Sequence, residues 1–281
     1  MANTNFVPVP SLEDYKKYFE EHLHMERENG ILLVRMHTKG GPVKWSFQMH
    51  QALAEAWTVI GHDPENEVMI LTSTDPYWIG EFDHESFREV EASRNPDLKY
   101  NTGYRDCTKL VENFIWDIDM PTIAAINGPG LHTEFAILAD ITLCTPDFVL
   151  RDDHFGISFV PGDGQTLVAQ HLLGTKRAAY MMYLAKGIDA RTAMELGAVN
   201  EILPKEQLIP RAREIAEIIM KQPRAIRRLS HQLTVRPWKR IIMDDYQVHT
   251  GHEFYGTELM KTEHLFDNAK DRWTDAEKKS G

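Results

Sequence analysis

A histidine and an aspartate flank a short apolar segment in the stretch LRDDHFGISFVPGDG, residues 150–164. His154 stands nine residues before Asp163. An imidazole with an ordinary pKa of about 6.5 can take a proton from water near neutral pH. A carboxylate on its other ring nitrogen would fix the required tautomer. The pattern is typical either of a general-base pair in a pocket, or of a structural loop histidine followed by a turn aspartate.

Four further side chains are candidates for the same site. Trp45 in GGPVKWS and His132 in NGPGLHTEF carry N–H groups that can donate to carbonyl oxygens. Glu253 in HTGHEF could position a water, and Glu81 in IGEFD is a candidate substrate contact. Each also has a structural explanation: core packing at a helix entry, a loop histidine, a solvated helix face or a loop charge.

The remaining titratable residues give weaker signals. Asp152 and Asp153 are interpreted as a solvated loop that could perturb His154. Cys107 and Cys144 show neither metal spacing nor a disulfide framework, which favours a reducing compartment. Other histidines have no evident partner in the sequence and are expected to be surface or structural residues: His22, His24, His50, His62, His84, His171, His231 and His264.

The bulk composition is that of a globular protein. The chain has 281 residues, of which 42% are hydrophobic and 26% charged, enough to build a sizeable core. The net charge of -11 argues against nucleic acid and anionic membranes as partners. No apolar run reaches the roughly 18 residues of a membrane span, and the N-terminus lacks the pattern of a secretory signal. We therefore expect a cytoplasmic protein.

Local patterns predict the elements that must position these residues. Asn29-Gly30 indicates a hairpin turn between two alternating strands. Ser46 and Asp189 are expected N-caps of helices. The apolar runs VMILTS, PTIAAI, ADITLC and FVL are typical of strands buried in a sheet. Helices predominate after residue 165, ending in a long helix over 237–272 that Gly251 or Gly256 could break.

Strand–helix alternation followed by a helical tail predicts an α/β fold. The predicted organisation is a helical N-terminal extension over 1–24, a core over 25–205 and a helical C-terminal region over 206–281.

Three longer stretches resemble the crotonase (enoyl-CoA hydratase/isomerase) superfamily. They are VMILTSTDPYWIGEFDHESF, PTIAAINGPGLHTEFAILADITLCT and FGISFVPGDGQTLVAQHLLG, and AKGIDARTAMELGAVNEILP follows them. The resemblance covers roughly residues 25–225 and is specific in combination. It implies a crotonase-like spiral of ββα units, with a helical C-terminal region that builds trimers or dimers of trimers.

The departures from the superfamily pattern lie at the site. His132 stands in a shortened run where glycines usually provide an oxyanion-binding N–H, and Ile79-Gly80-Glu81-Phe82 replaces a smaller turn. His154 matches the position of a catalytic glutamate of the hydratases, and Glu134 aligns with the other one as a reserve candidate. A site that cradles a CoA thioester is thus expected to be rebuilt.

The rebuilt pattern resembles the β-diketone hydrolase branch typified by 6-oxocamphor hydrolase. That branch carries a tryptophan, a histidine in the glycine segment, a His–Asp pair and a C-terminal glutamate. The matching positions are Trp45, His132, His154, Asp163 and Glu253. The resemblance implies a cofactor-independent retro-Claisen hydrolysis of a cyclic diketone, with a small molecule as the substrate partner.

That reaction suggests a role for each residue. We expect His154 to be the general base, Asp163 to orient it, and His132 and Trp45 to donate to the carbonyl oxygens, although the two histidines could exchange roles. Neither a metal nor a redox cofactor is required. Two alternatives remain open: a CoA-thioester hydratase, isomerase or hydrolase with an altered site, and a non-catalytic protein of the same fold.

Overall fold

The protein is built around a six-stranded sheet. The structure, a computed structural model, describes residues 7–260 apart from the side chain of Glu91. The sheet order is β1-β2-β4-β6-β7-β10, antiparallel between β1 and β2 and parallel elsewhere. Two short pairs, β3 with β5 and β8 with β9, lie outside it. The strands are β1 Leu23–Glu28, β2 Ile31–Met36, β3 Lys44–Trp45, β4 Val68–Ser73, β5 Glu81–Phe82, β6 Thr122–Ile126, β7 Ile141–Cys144, β8 Val149–Leu150, β9 Ile188–Asp189 and β10 Glu201–Ile202.

Helices alternate with these strands and then dominate the C-terminal part. Short 3₁₀ turns lie at Lys16–Tyr18 and Phe155–Ile157, and π-helical turns lie at Lys99–Arg105 and Ile242–Tyr246. The α-helices are α1 Leu12–Tyr15, α2 Phe47–His62, α3 His84–Ala92, α4 Pro96–Leu98, α5 Asp106–Trp116, α6 Glu134–Ile137, α7 Gln165–Leu173, α8 Thr175–Leu184, α9 Ala190–Glu195, α10 Lys205–Met220, α11 Arg224–Thr234, α12 Arg236–Ile241 and α13 Gln247–Met260.

The predicted hairpin and helix caps are confirmed. Asn29 and Gly30 both have positive φ and join β1 to β2, with Glu28 opposite Ile31. The hydroxyl of Ser46 accepts a hydrogen bond from the Met49 amide at the start of α2. The carboxylate of Asp189 does the same for the Thr192 amide at the start of α9. These side chains satisfy backbone donors that the first helical turn leaves without partners.

The sheet is buried on both faces. Alternating residues of β2 point to opposite sides. Leu32 and Val34 belong to the larger core cluster, which includes residues of α2 and α5. Ile31 and Leu33 belong to a second cluster, against which α10 packs through Leu208, Ala212, Ile215 and Ala216. Burial on both faces explains why the parallel strands are continuous apolar runs.

The long C-terminal helix is interrupted at a different place from the one predicted. The prediction placed the break at a glycine, but Gly251 and Gly256 both lie within α13. The regular helix is interrupted instead by the π-helical turn Ile242–Tyr246. A Cβ on Gly256 would stand 2.6 Å from the Val160 side chain, so close packing accounts for that glycine. The part of the prediction over 261–272 lies outside the described residues.

The α/β fold class is confirmed. Both cysteines, Cys107 and Cys144, are free thiols. Within residues 7–260, no helix combines the length and the hydrophobicity that crossing a membrane requires.

Candidate active site

His132 lies in a loop that leaves the sheet after β6. The loop packs against the segment that follows β4: Pro129 accepts a hydrogen bond from the Trp78 amide, and Leu131 donates one to the Ile79 carbonyl. A Cβ on Gly130 would stand 2.5 Å from the Ile79 nitrogen, so that residue must be glycine for the backbones to approach. The loop ends with His132 in the left-handed region at φ 50°, and its ring is buried. Such a conformation in a non-glycine residue is uncommon and is often found at functional sites.

His154 and Asp163 are held by the connection between β8 and α7. His154 immediately precedes the 3₁₀ turn Phe155–Ile157, and Asp163 stands two residues before α7. One carboxylate oxygen of Asp163 accepts a hydrogen bond from the Gln165 amide at 3.2 Å. This contact with the first turn of α7 fixes the aspartate and aims its other oxygen at the two histidines.

The structure brings His132, His154 and Asp163 together. The Asp163 Oδ2 atom lies 3.0 Å from His132 Nδ1 and 3.5 Å from His154 Nε2. The first distance is that of a charge-assisted hydrogen bond, whereas the second is longer than the usual range. Asp163 is therefore the closer partner of His132, and its contact with His154 Nε2 is the weaker of the two.

Asp152 is the direct partner of His154, which corrects the interpretation of this residue as part of a solvated loop. Its carboxylate is buried, with Oδ1 2.8 Å from His154 Nδ1 and Oδ2 accepting a hydrogen bond from the Thr166 hydroxyl at 2.7 Å. The orienting carboxylate predicted at Asp163 is thus provided on the Nδ1 side by Asp152. Its position two residues before the histidine was the sequence signal, but the Thr166 contact could not be read from spacing.

Two glutamates complete the acidic part of the site. Glu134, the reserve candidate, is fully buried, and its Oε1 lies 3.2 Å from His132 Nδ1. Glu253 projects from α13 to the same cavity. One carboxylate oxygen of each, Glu134 Oε2 and Glu253 Oε2, is buried without a hydrogen-bond partner among the described residues. Such oxygens are costly unless a ligand or water meets them.

Aromatic rings form the other side of the site. Trp45 is fully buried and stacks on His132 with ring centroids 4.1 Å apart. His50, expected to have no partner, is buried in the first turn of α2. Its ring packs against Trp45 with the ring centroids 4.3 Å apart. Its Nδ1 lies 2.7 Å from the Ser46 carbonyl oxygen. Burial, with a smaller effect from His132, lowers the pKa of His50 to about 3, so this ring is neutral.

Glu81 is not part of this arrangement. Its side chain is 60% exposed and pairs with Lys44 Nζ at 3.0 Å. The neighbouring Phe82 lines the cavity instead. Because β3 and β5 pair in parallel with Trp45 opposite Phe82, the alternation of side chains turns Glu81 away from the site.

These side chains surround one cavity of about 840 Å³. Its volume is in the upper part of the range, roughly 300–1,000 Å³, of small-molecule sites. Apart from these titratable residues, the wall of the cavity is largely apolar. The other lining residues are Phe47, Phe82, Phe87, Val90, Arg94, Lys99, Gly103, Cys107, Leu110, Ile157, Phe159, Thr250, Phe254, Thr257 and Glu258.

The two histidines are favoured in the charged form. Burial alone would lower the pKa of His132, but the Glu134 and Asp163 carboxylates outweigh it and raise the pKa to about 9. Burial also opposes the charge on His154, and Asp163 and Asp152 outweigh it there, so that pKa is well above its ordinary value. Conversely, the imidazoles hold the pKa of Asp163 below its usual range although burial would raise it.

The pKa values of the two glutamates are raised, in contrast to that of Asp163. Burial raises the pKa of Glu134 to about 6, an effect that His132 partly offsets. Burial and the charge of Asp163 raise the pKa of Glu253 to about 8, so this carboxyl exchanges protons near neutral pH. Carboxyls with pKa values separated in this way are typical of sites that move protons.

Comparison with known proteins gives two kinds of relatives. The family model described as Enoyl-CoA hydratase/isomerase matches residues 26–252. Carnitinyl-CoA dehydratase of Salmonella enteritidis is 32% identical over 215 residues, covering 73% of this chain and 77% of that protein.

Among solved structures, a β-diketone hydrolase from the cyanobacterium Anabaena sp. PCC 7120 has a TM-score of 0.80 at 34% identity. The match covers 88% of this chain and 100% of the hydrolase, which was solved with (S)-3-oxocyclohexyl acetic acid bound. An enoyl-CoA hydratase/isomerase from Mycobacterium paratuberculosis has a TM-score of 0.79 at 19% identity, covering 89% of this chain and 98% of that one. The chain therefore belongs to the enoyl-CoA hydratase/isomerase family and has the crotonase fold.

Proposed function

We propose that this protein hydrolyses the C–C bond between the two carbonyls of a cyclic β-diketone without a cofactor. The observation that carries the proposal is the cluster of His132, His154 and Asp163 at the wall of an apolar cavity. It supplies a base and charged donors at the place where CoA-dependent relatives are expected to use backbone N–H groups and glutamates. The 34% identity with a β-diketone hydrolase over 88% of the chain supports the same conclusion.

The reaction consumes one water molecule, and the proton that the base takes from this water ends on the product. In the fraction of molecules whose His154 is neutral, the water oxygen attacks one carbonyl carbon while His154 Nε2 accepts the water proton. The tetrahedral alkoxide collapses, the bond to the carbon between the carbonyls breaks, and its electron pair becomes the enolate of the second carbonyl. That carbon then takes a proton from the His154 imidazolium. The products are a carboxylic acid and a ketone, joined in one molecule when the broken bond belonged to a ring.

The base assignment follows from which nitrogens are engaged. Asp152 pairs with Nδ1 of His154, so Nε2 is the nitrogen that faces the reaction. A buried carboxylate on the far nitrogen fixes the tautomer and stabilises the imidazolium that forms, as in hydrolytic triads. The negative Asp163 lies 3.5 Å from Nε2, where it can hold the attacking water or stabilise the protonated ring.

His132 is the proposed donor to the developing oxyanion. With a pKa of about 9 it is protonated at neutral pH, and Glu134 and Asp163 engage its Nδ1. Its Nε2–H therefore remains for a carbonyl oxygen. The stack on Trp45 fixes the ring plane and adds a cation–π attraction to the charged form. Removal of one such donor commonly costs about 3 kcal/mol of transition-state stabilisation.

Glu253 is the proposed positioning group for water. Its Oε2 is buried without a partner among residues 7–260, and its pKa of about 8 lets it accept or donate a proton near neutral pH. The rings of Phe47, Phe82, Phe87 and Phe159 give the substrate an apolar surface. This surface suits an alicyclic ring better than a polar chain.

The test is turnover of monocyclic and bicyclic 1,3-diketones by the purified, chelator-treated protein without added cofactor. The diketone absorbance should disappear while keto acid accumulates, and His154→Ala should lose nearly all of this activity. Asp153→Asn is a matched control, because Asp153 neighbours the histidine but pairs with Arg151 instead. Full activity in His154→Ala would show that another group is the base, with His132 as the next candidate.

A CoA-thioester reaction is the second candidate, favoured by the 32% identity with carnitinyl-CoA dehydratase. In that reading the left-handed His132 loop would still bind a thioester oxygen. Turnover of enoyl-CoA or carnitinyl-CoA with no activity on any diketone would establish it in place of the hydrolase.

A further inference from the structure

The same cluster has the composition of a transition-metal site. His132, His154 and Asp163 each offer one ligand atom, and the three atoms lie within 4.8 Å of one another. Two imidazoles and one carboxylate form the ligand set of many catalytic zinc sites and of non-haem iron sites. The reaction proposed above uses these atoms only for protons and hydrogen bonds.

The distances between the three atoms match metal coordination. Asp163 Oδ2 lies 3.0 Å from His132 Nδ1 and 3.5 Å from His154 Nε2. Neighbouring ligand atoms in a tetrahedral zinc site are about 3.3 Å apart, since each bond is about 2.0–2.2 Å. One ligand atom from each of the three residues lies within 4.8 Å of the other two, a spacing that a single ion can bridge. Shifts of a few tenths of an ångström would place one ion within bonding distance of all three.

The surrounding groups also suit a metal. Ligating histidines usually donate their second ring N–H to a carboxylate, and Asp152, itself held by Thr166, takes that position on His154. A fourth ligand is available from Glu134, whose Oε1 lies 3.2 Å from His132 Nδ1. Glu134 is 1% exposed, and its Oε2 has no hydrogen-bond partner in the described part of the chain.

We propose that this cluster binds one divalent transition-metal ion, with Zn²⁺ as the probe, and that the bound ion inhibits the enzyme. The inhibition follows because a lone pair on His154 Nε2 that coordinates a metal cannot also accept a proton from water. This consequence rests on the proposed hydrolysis, whereas metal binding itself does not.

The experiment is calorimetric titration of the chelator-treated full chain with ZnCl₂ at one fixed pH. We expect one ion per chain, and at least about 100-fold weaker binding in His154→Gln and Asp163→Asn. His24→Gln is the control, because His24 and Glu26 form a similar pair on the surface, 2.8 Å apart. It should bind as tightly as the wild type. The proposal would be overturned if the wild type showed no saturable binding of Zn²⁺. It would also be overturned if both site variants bound Zn²⁺ as tightly as the wild type.

A spectroscopic measurement on the unmutated chain guards against variants that fail to fold. Co²⁺ bound at this site should give the intense visible bands of a four- or five-coordinate ion, whereas the weak spectrum of hydrated Co²⁺ would contradict the site. Diketone hydrolysis should fall in proportion to Zn²⁺ occupancy, and undiminished hydrolysis at full occupancy would disprove the inhibition. Zn²⁺ binding without hydrolysis of any diketone would leave the metal site standing and reject the proposed function.

Discussion

At the scale of single residues, the site consists of two buried histidines whose ring nitrogens contact different carboxylates. Asp152 contacts the Nδ1 atom of His154, and Asp163 lies between the Nε2 atom of His154 and the Nδ1 atom of His132. Each carboxylate raises the pKa of an imidazole that burial alone would lower. Both rings are thus favoured in the charged form, and what differs is the nitrogen that each carboxylate engages: Nδ1 of His132 faces Asp163 and Glu134, whereas Nδ1 of His154 faces Asp152.

The first prediction concerns Asp152. Replacing it with asparagine should lower kcat by roughly 10²–10⁴, because the His154 tautomer is no longer fixed. The change should also lower the pKa of His154, since Asp152 raises it. Activity depends on neutral His154, so the ascending limb of the pH–rate profile should move to lower pH. The measurement is kcat/KM against pH with a chelator present.

A purely structural role for Asp152 would reduce the amount of active protein without moving that limb. Asp153→Asn, which removes the neighbouring carboxylate paired with Arg151, should preserve kcat and move the limb less than Asp152→Asn does.

The sequence indicated most of these residues but not their pairings. The candidates His132, His154, Asp163, Trp45 and Glu253 all line one cavity. Nothing in the spacing could show that Asp163 approaches His132 more closely than His154, since their loops follow different strands and meet only in three dimensions. The burial of Asp152 likewise depends on Thr166, fourteen residues away. Glu81 points away from the cavity because the short strand β5 turns its side chain outward, which spacing alone could not show.

At the scale of elements, α13 packs on the turn that carries Asp163. A Cβ on Gly162 would stand 2.3 Å from the His249 carbonyl oxygen and 2.6 Å from Glu253 Cβ. The turn and the helix therefore fix the spacing between Asp163 and Glu253.

Gly162→Ala should separate the turn from α13 and lower kcat on the order of tenfold to a hundredfold, because small displacements of reacting groups are costly. Gly251→Ala is the matched change in the same helix, with no heavy atom within 4 Å of the new methyl group. It should preserve kcat and increase the free energy of unfolding by about 0.5–1 kcal/mol. Steady-state kinetics measure kcat of both variants, and urea unfolding measures their free energies of unfolding. Equal kcat values would show that the packing of α13 does not position the site.

A second element-scale contact joins the strands to the C-terminal helices. Asp140, just before β7, accepts hydrogen bonds from the Thr122 amide of β6 and the Thr234 hydroxyl, and its Oδ2 lies 2.8 Å from His231 Nδ1 of α11. Burial would raise the pKa of Asp140, but His231 and the hydrogen bonds outweigh it and lower the pKa. A depressed folded-state pKa contributes stability above the unfolded value of about 3.9, and this stability is lost as the pH falls below it.

Asp140→Asn should therefore reduce the free energy of unfolding by roughly 3 kcal/mol at pH 7, because it leaves buried partners unsatisfied. The difference from the wild type should shrink as the pH falls below about 4. Asp119→Asn is the control, since Asp119 is 48% exposed and pairs with Arg228 from the same helix. It should cost less than about 1 kcal/mol. Urea unfolding at several pH values measures both, and a difference independent of pH would contradict the role of Asp140 ionisation.

At the scale of the whole molecule, the α/β core and the helical C-terminal region agree with the prediction because they depend on strong periodic patterns. Apolar strands, capped helices and the hairpin turn are local signals. The break in the C-terminal helix was mispredicted since a glycine is only a permissive signal, whereas the π-helical turn at Ile242–Tyr246 depends on tertiary packing around buried Tyr246.

Exposed apolar residues on α11 predict self-association. Ile226, Leu229 and Leu233 are 52%, 65% and 73% exposed and recur at helical spacing. We expect a trimer or a dimer of trimers, which the double change Leu229→Asp and Leu233→Asp should dissociate into monomers. Tyr18→Asp, at an 82% exposed position near the N-terminus, should leave the assembly intact. Light scattering coupled to size-exclusion chromatography decides this, and a monomeric wild type at micromolar concentration would refute the prediction.

A comparison of two substrate classes on one chelator-treated sample distinguishes diketone hydrolysis from CoA-thioester chemistry. Values of kcat/KM are determined for a set of cyclic 1,3-diketones and for enoyl-CoA and carnitinyl-CoA, without added cofactor and with His154→Ala in parallel. We expect diketone hydrolysis with one atom of oxygen from water in the product carboxylate, loss of that activity in His154→Ala, and no turnover of the thioesters. Turnover of a thioester with every diketone left intact would contradict the proposed function.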